Sequence, residues 1–338
     1  MKAAVSGCGR MGARHVQALI GLGITVVGVT DVRPESAQAV AKQHNLPDSA
    51  VFADTPSMLA ATKPDFYVIA TTAPSHQELV TLALNNGIKK ILCEKPLATS
   101  VAACEAIIKL AAEKNADVGV NHQMRFMPQY IIPKQMMASD EFGGLQSISV
   151  SAGNFGMAMN GTHYIEMMRF MFDEGPESVS AWFDDGFVPN PRGPEFLDKS
   201  GLMVVRTQSG KMFVLSARNT QGHGMCVTFA GRYGQIMIDE LAGQMYYTHR
   251  ANADDRALPT TRYGQPSKTE AKPIQGVDII PATQDMMKAL IDGKGYTTAA
   301  EACLAIRTLA AAYASAEAGG APIKINSSAL DTMVFPWA

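Results

Sequence analysis

Three glycines near the start of the sequence have the spacing to hold a phosphate. They stand in Gly7-Cys8-Gly9-Arg10-Met11-Gly12, between the apolar run Ala3-Ala4-Val5 and a helix-like stretch from Ala13 to Leu22. Gly7 permits the tight turn out of a strand, Gly9 leaves bare backbone where a pyrophosphate can approach, and Gly12 lets the helix pack close to a sheet. The N-terminus of that helix adds N–H groups and a partial positive charge aimed at the phosphates. The motif alone is weak evidence, but a position between strand and helix is the context it requires. Asp31 closes a second apolar run, Thr25–Thr30, 19 residues after Gly12. That is the place for an acid that binds the hydroxyls of an adenosine ribose. A carboxylate there repels a 2′-phosphate and favours NAD, whereas Arg33 can accept that phosphate and keeps NADP open.

The elements that must position these residues follow from periodicity. Over residues 1–121 strands and helices alternate: strands at Phe66–Ala70, Lys90–Cys93 and Asp117–Val120, a weak strand at Ala50–Phe52, and helices at Pro34–Gln43, after Thr55-Pro56, at His76–Asn85 and from Thr99 or Ser100 to Glu113. Such alternation predicts a doubly wound parallel sheet, in which ligands bind beyond the carboxyl ends of the strands. The glycine loop, Asp31, Thr71-Thr72, Glu94-Lys95 and Asn121 all follow strands, so they are expected on one edge. From His122 the pattern changes to successive strands with short turns, at 146–150, 178–184, 202–208, 211–217, 225–230 and 235–239. Ser209-Gly210 reads as a hairpin turn. One helix, Thr162–Phe172, interrupts the strands, and Thr298-Ala299-Ala300-Glu301 is a capping box that opens a long alanine-rich helix ending at Gly319-Gly320. Residues 251–272 lack periodicity and read as a loop, and Asp184-Asp185 as a solvated strand end. The expected architecture is α/β: an N-terminal Rossmann domain over 1–121 and, over 122–338, a substrate-binding and oligomerisation domain with a mostly antiparallel sheet, the two meeting in a cleft.

Composition narrows the function classes. The 338 residues are 47% hydrophobic and 18% charged with net charge −2, which is a globular composition with no basic tract for nucleic acid. No run approaches the roughly 20 apolar residues of a membrane helix, and no signal-peptide pattern is visible. The five cysteines are scattered without a Cys-x-x-Cys pair, and the seven histidines lack metal-ligand spacing. Reduced thiols in a cytoplasmic protein without metal are expected.

The order Gly7–Gly12, Asp31, Ala70-Thr71-Thr72-Ala73-Pro74-Ser75-His76, Glu94-Lys95-Pro96, Arg125-Phe126 and Gly161-Thr162-His163 resembles the glucose–fructose oxidoreductase / inositol dehydrogenase / MocA (Gfo/Idh/MocA) family. The resemblance covers nearly the whole chain and is strongest over residues 1–130. It implies an open antiparallel sheet in the second domain, NAD or NADP as cofactor, and a homodimer or homotetramer built through that sheet. It also implies hydride transfer between the nicotinamide and a secondary alcohol of a sugar, nucleotide sugar or cyclitol. The family's catalytic lysine matches Lys95 and its histidine matches His163. The resemblance adds Cys8, Arg10, Met11, Thr71, Thr72, Pro74, His76, Glu94, Lys95, Asn121 and Arg125 to the cofactor candidates. Lys95, Arg125, Asn160 and His163 are the substrate candidates. A free lysine titrates too high for base catalysis at neutral pH, so desolvation and a nearby Arg125 are expected to help Lys95. At the start of its helix His163 is expected to be neutral. The chain departs from the family's Asp-x-x-x-His pattern: Met159 replaces the acid, and Glu166 follows three residues after His163. Two other readings remain open, a glycosidase that recycles bound NAD internally and a non-catalytic dinucleotide sensor.

Overall fold

A computed structural model describes residues 1–261, 264 and 266–337. The chain forms two compact units, one of residues 1–123, 278–306 and 331–338, the other of residues 124–277 and 307–330.

The first unit opens with β1 (Lys2–Ser6), α1 (Arg10–Gly21), β2 (Thr25–Thr30), α2 (Pro34–Gln43), α3 (Thr55–Thr62) and β3 (Phe66–Ile69). It continues with α4 (His76–Asn85), β4 (Lys90–Cys93), α5 (Val101–Glu113) and β5 (Asp117–Val120). The five strands are parallel in the order β2-β1-β3-β4-β5. Their side chains are buried on both faces, as continuous runs such as Phe66-Tyr67-Val68-Ile69 require. The order reverses beside β1, which makes the carboxyl ends of β1 and β3 the crevice where such sheets bind ligands. Pro56 lies in the first turn of α3, whose N-cap Asp54 accepts from the Ser57 N–H at 2.7 Å, and Ser100 caps α5 through the Ala103 N–H. The expected strand at Ala50–Phe52 is instead a single 3₁₀ turn, Asp48–Ala50, with one bridge from Val51 to Val29. That run holds too few residues to propagate a ladder.

The second unit contains α6 (Pro128–Met137), β6 (Leu145–Ser151), α7 (Thr162–Phe172), β7 (Pro176–Phe183), β8 (Gly201–Thr207), β9 (Met212–Ala217), β10 (Cys226–Gly231), β11 (Gly234–Asp239), β12 (Gln244–His249), α8 (Ala253–Ala257) and β13 (Lys268–Pro273). Beyond it come α9 (Ile279–Ile291), α10 (Ala299–Glu317) and β14 (Ile323–Lys324). A nine-stranded sheet runs β13-β12-β11-β10-β6-β9-β8-β7-β14 and is antiparallel except where β6 pairs β9. Helices α6 and α7 pack on β10 and β6. On the opposite face, strand registers align Val204, Val214, Ser149, Thr228, Met237 and Tyr246 in one row. Gly210 makes the expected hairpin turn with φ +89°. Residues 251–272 are not wholly a loop, because α8 and β13 lie among them, while 262, 263 and 265 fall outside the described residues. β13 escaped the sequence reading because it is an exposed polar edge strand, held by backbone pairing to β12 rather than by a buried face.

Residues 278–306 return to the first unit, where α9 packs on α1 and β4. Gln284 Nε2 donates to the Ala18 carbonyl, and the Thr297 carbonyl accepts from the Val120 N–H at 2.9 Å. The capping box forms, with Thr298 N–H to Glu301 Oε2 at 2.9 Å and Glu301 N–H to Thr298 Oγ1 at 3.2 Å. Residues 331–338 return as well: the Phe335 N–H bonds the Thr99 carbonyl, and Trp337 is buried with its ring stacked on Phe335. Among the described residues no helix is long and apolar enough to cross a membrane, and no cluster of three or more His, Cys, Asp or Glu is arranged to hold a metal ion.

Candidate active site

The glycine loop sits at the carboxyl end of β1. Gly7 has φ +91°, and a Cβ there would lie 2.5 Å from the Ala70 backbone. A Cβ on Gly12 would lie 1.9 Å from the Gly7 carbonyl oxygen, so the helix can approach only without one. Gly9 differs: nothing lies within 4 Å of where its Cβ would stand. It is also the N-cap of α1 and offers no side-chain cap. The first intrahelical N–H bond runs from Ala13 to the Gly9 carbonyl at 3.0 Å, so the amides of Arg10, Met11 and Gly12 belong to the unpaired end of the helix. Open backbone, helix N-terminus and absent capping side chain together fit a dinucleotide pyrophosphate.

Asp31 faces this loop. Its Oδ2 accepts from the Cys8 N–H at 2.7 Å and its Oδ1 from the Arg33 N–H at 2.9 Å. Each oxygen keeps a second lone pair for a ribose hydroxyl. The Arg33 side chain is exposed, with Nε 3.9 Å from Asp31. Burial and the Asp31 charge push the Cys8 thiol up to about 12. It stays protonated, and no thiolate faces the phosphates.

At the carboxyl end of β4, Glu94 is buried. Its Oε1 accepts from His15 Nε2 at 2.6 Å and from Asn121 Nδ2 at 2.8 Å. Burial by itself would raise the carboxyl, but the His15 and Asn121 hydrogen bonds and the Lys95 charge outweigh it and bring it down to about 2. An ionised carboxylate only accepts, so His15 carries its proton on Nε2. The next residue is Lys95, buried and followed by a cis peptide to Pro96. Asn121 Oδ1, fully buried at the end of β5, has no hydrogen-bond partner among the described residues.

Thr71, Thr72 and Pro74 form the turn after β3, where Ser75 Oγ donates to Thr71 Oγ1 at 2.7 Å. His76 is fully enclosed. Its Nδ1 lies 3.0 Å from the Pro96 carbonyl and its Nε2 3.2 Å from the Thr71 carbonyl. Burial lowers its pKa, and a neutral ring has one N–H, so it donates to one of these two carbonyls at a time.

The second unit carries the remaining candidates. Within this unit Arg125 pairs with Glu166. Its Nη2 lies 2.5 Å from Glu166 Oε1, and its guanidinium stands 5.5 Å over the Phe170 ring. Arg169 holds Glu166 from the other side at 2.8 and 2.9 Å. Glu166 is thus committed to two arginines. Residues Met157–Gly161 form a π-helical turn that runs straight into α7. Asn160 lies in that turn, and His163 is the second residue of α7. His163 therefore lies six residues after Met157 and does not stand at a free helix start. Asp184, expected to be solvated, is buried and accepts from Arg218 at 2.8 and 3.0 Å and from the Asn219 N–H at 2.6 Å.

Sequence reasoning missed His15 and Asp198. His15 lies three residues after Gly12 on the buried stripe of α1 with Val16 and Leu19, and that stripe was the available signal. Asp198 lies in the irregular stretch between β7 and β8, which offers none.

Comparison with known proteins agrees with this geometry. A family model described as an oxidoreductase family with an NAD-binding Rossmann fold matches residues 1–122. The chain is 30% identical over 237 residues to an inositol 2-dehydrogenase of Mycolicibacterium smegmatis, covering 66% of this chain and 67% of that one. It is 28% identical over 328 residues to an inositol 2-dehydrogenase of Rhodococcus erythropolis, covering 91% and 93%. The fold resembles that of an oxidoreductase from Agrobacterium radiobacter solved with NAD+, L-tartaric acid and magnesium, with TM-score 0.79, 18% identity and coverage of 96% and 98%. The glycine loop, Asp31 and the Glu94-Lys95-Pro96 turn at one sheet edge, joined to these similarities, place the chain in the Gfo/Idh/MocA family of NAD-binding oxidoreductases.

Proposed function

We propose that this oxidoreductase oxidises a secondary alcohol of a cyclitol or sugar, with Lys95 taking the hydroxyl proton. The observation that carries this reading is the placement of Lys95. It is buried, at the carboxyl end of β4 and on the sheet edge that also carries the glycine loop. Bound NAD supplies the hydride acceptor. Gly9 and the α1 amides hold its pyrophosphate, and Asp31 holds its adenosine ribose and favours NAD over NADP. His15 and Asn121 fix the Glu94 carboxylate, and Glu94 fixes Lys95. Asn160 and His163 bind and orient the substrate hydroxyl, and Arg125 shapes their surroundings from its pair with Glu166. The names of the two inositol 2-dehydrogenases favour a cyclitol. The outer face of the nine-stranded sheet joins copies of the chain into a homodimer or homotetramer, and the enzyme works in the cytoplasm.

A panel of inositols, sugars and nucleotide sugars with NAD, read at the NADH absorbance, tests the reaction. Lys95→Ala is expected to lower kcat by about 10²–10⁴-fold, the usual worth of general-base assistance, with NAD affinity nearly unchanged. Lys95→Arg does not restore the rate, because guanidinium stays protonated. An undiminished rate in Lys95→Ala with the parent's pH profile removes Lys95 from the proton transfer. Glycoside cleavage without net NADH would replace the dehydrogenase reading.

A further inference from the structure

The turn that leads to His163 is held by a carboxylate from a distant part of the chain. Asp198 is 2% exposed. Its Oδ2 accepts from the Met159 N–H at 2.8 Å and from the Ala158 N–H at 3.1 Å. Its Oδ1 accepts from the Ala158 N–H at 3.0 Å and from the Lys199 N–H at 2.9 Å. The fit is tight enough to dictate a neighbour. A Cβ on Gly156 would lie 1.8 Å from Oδ2, so only glycine leaves room for the carboxylate. The amides it holds open the π-helical turn Met157–Gly161, whose last residue adjoins α7. π-turns of this kind recur at functional sites, where they aim a side chain that regular winding would turn away.

Residue 159 is also where the Asp-x-x-x-His pattern would carry its acid, and here it is Met159. The negative charge is nonetheless present at that position. It arrives on the backbone amide of residue 159 rather than on its side chain, and it complements the positive end of the helix that carries His163.

We infer that Asp198 is the positioning residue for the Asn160–His163 segment, supplying from the β7–β8 connection the carboxylate that residue 159 lacks. The inference rests on the reading of Asn160 and His163 as substrate-binding residues. Charge-assisted bonds from the Ala158 and Met159 amides fix the turn, and the turn fixes where the substrate hydroxyl is held. An asparagine is nearly isosteric but offers an amide N–H₂ where two acceptor oxygens are needed.

Two variants reach the same contact by different routes. Asp198→Asn removes the charge. Gly156→Ala keeps the charge and displaces the carboxylate. The test compares both with the parent in three measurements: hydrogen exchange of the peptide over residues 155–163, NAD affinity by fluorescence, and steady-state kinetics on the polyol that the panel identifies. Both variants are expected to lose protection at 158 and 159 while later turns of α7 keep theirs. NAD affinity is expected to stay within about twofold, since the glycine loop belongs to the other unit. For the polyol, kcat/KM is expected to fall by about 10²-fold, the cost of misplacing a reacting group by an ångström, with KM rising more than kcat falls. Met159→Asp added to Asp198→Asn is expected to recover part of the loss, because it restores the charge to the same turn. Lost protection with unchanged polyol kinetics overturns the positioning role. So does a loss of kcat/KM in Asp198→Asn with parental protection at 158 and 159. If the parent oxidises no polyol, the functional reading fails, while hydrogen exchange still reads the contact itself.

Discussion

At the residue scale the nucleotide half of the proposed site is built from three glycine positions and one carboxylate. Asp31 is bound to the glycine loop through the Cys8 N–H, so it orders the loop and presents its remaining lone pairs at once. Asp31→Ala is therefore expected to weaken NAD by more than it weakens NADP, with affinities for both measured by titration. An unchanged preference would remove Asp31 from the ribose site. The glycine motif, Asp31 and Lys95 were legible in the sequence because each depends on local spacing beside a strand. His15 was not. Its partner Glu94 lies 79 positions away, and nothing in either neighbourhood announces the pair. Asp198 was hidden for the same reason, since it caps a turn 39 residues before it. Lone polar residues whose partners are distant in sequence leave no periodic trace.

At the element scale two buried carboxylates hold helices to sheets with opposite pH signatures. Glu94 joins α1, β4 and β5, and its folded pKa of about 2 lies below the ordinary glutamate value. Its contribution is present above the unfolded value and is lost as pH falls from about 4.5 toward 2. Glu94→Gln should therefore cost on the order of 3 kcal/mol at pH 7, one pKa unit being about 1.4 kcal/mol. The deficit should shrink in urea unfolding curves as pH falls through that window. A deficit independent of pH would mean that packing, not charge, is what Glu94 provides. Glu240 lies at the end of β11 and accepts from Tyr130 on α6 and from Tyr164 on α7, the latter at 3.0 Å. Burial raises its pKa, the two tyrosines oppose that, and Asp239 adds to it. In this case the folded state binds the proton more tightly than the unfolded one. The parent should lose stability as pH rises above the ordinary glutamate value, and Glu240→Gln should gain on it over that range. Unfolding midpoints at several pH values decide this, and parallel pH curves for parent and variant would refute it. The helices themselves were largely legible, because Ser100, Thr298 and Pro56 mark their starts and their buried stripes repeat at helical period. β13 was not, because an edge strand exposed on both faces needs no apolar pattern.

At the scale of the whole molecule the two units divide the work differently. The first offers a small parallel sheet with everything chemical at one edge. The second offers a broad sheet with one helix-covered face. Its other face carries the row from Val204 to Tyr246, and Trp182 is exposed at 48%. Light scattering should find the parent as a dimer or tetramer, and Val204→Asp combined with Met237→Glu should give monomers. A monomeric parent at micromolar concentration ends the proposal that this face joins copies. The sequence showed where the parallel sheet stops but not that the chain comes back to it, because α9 looks like any amphipathic helix and its docking on α1 is a long-range contact.

That return has a consequence for how the protein is made. A ribosome delivers the five parallel strands early, yet the unit they belong to lacks α9 and the aromatic pair Phe335 and Trp337 until those residues have emerged. The nucleotide-binding half therefore cannot finish folding in order of synthesis. It must persist with the α1 surface uncovered while the nine-stranded sheet is still being translated, and chaperones should bind chains truncated before α9 but not the protein that carries α9, Phe335 and Trp337.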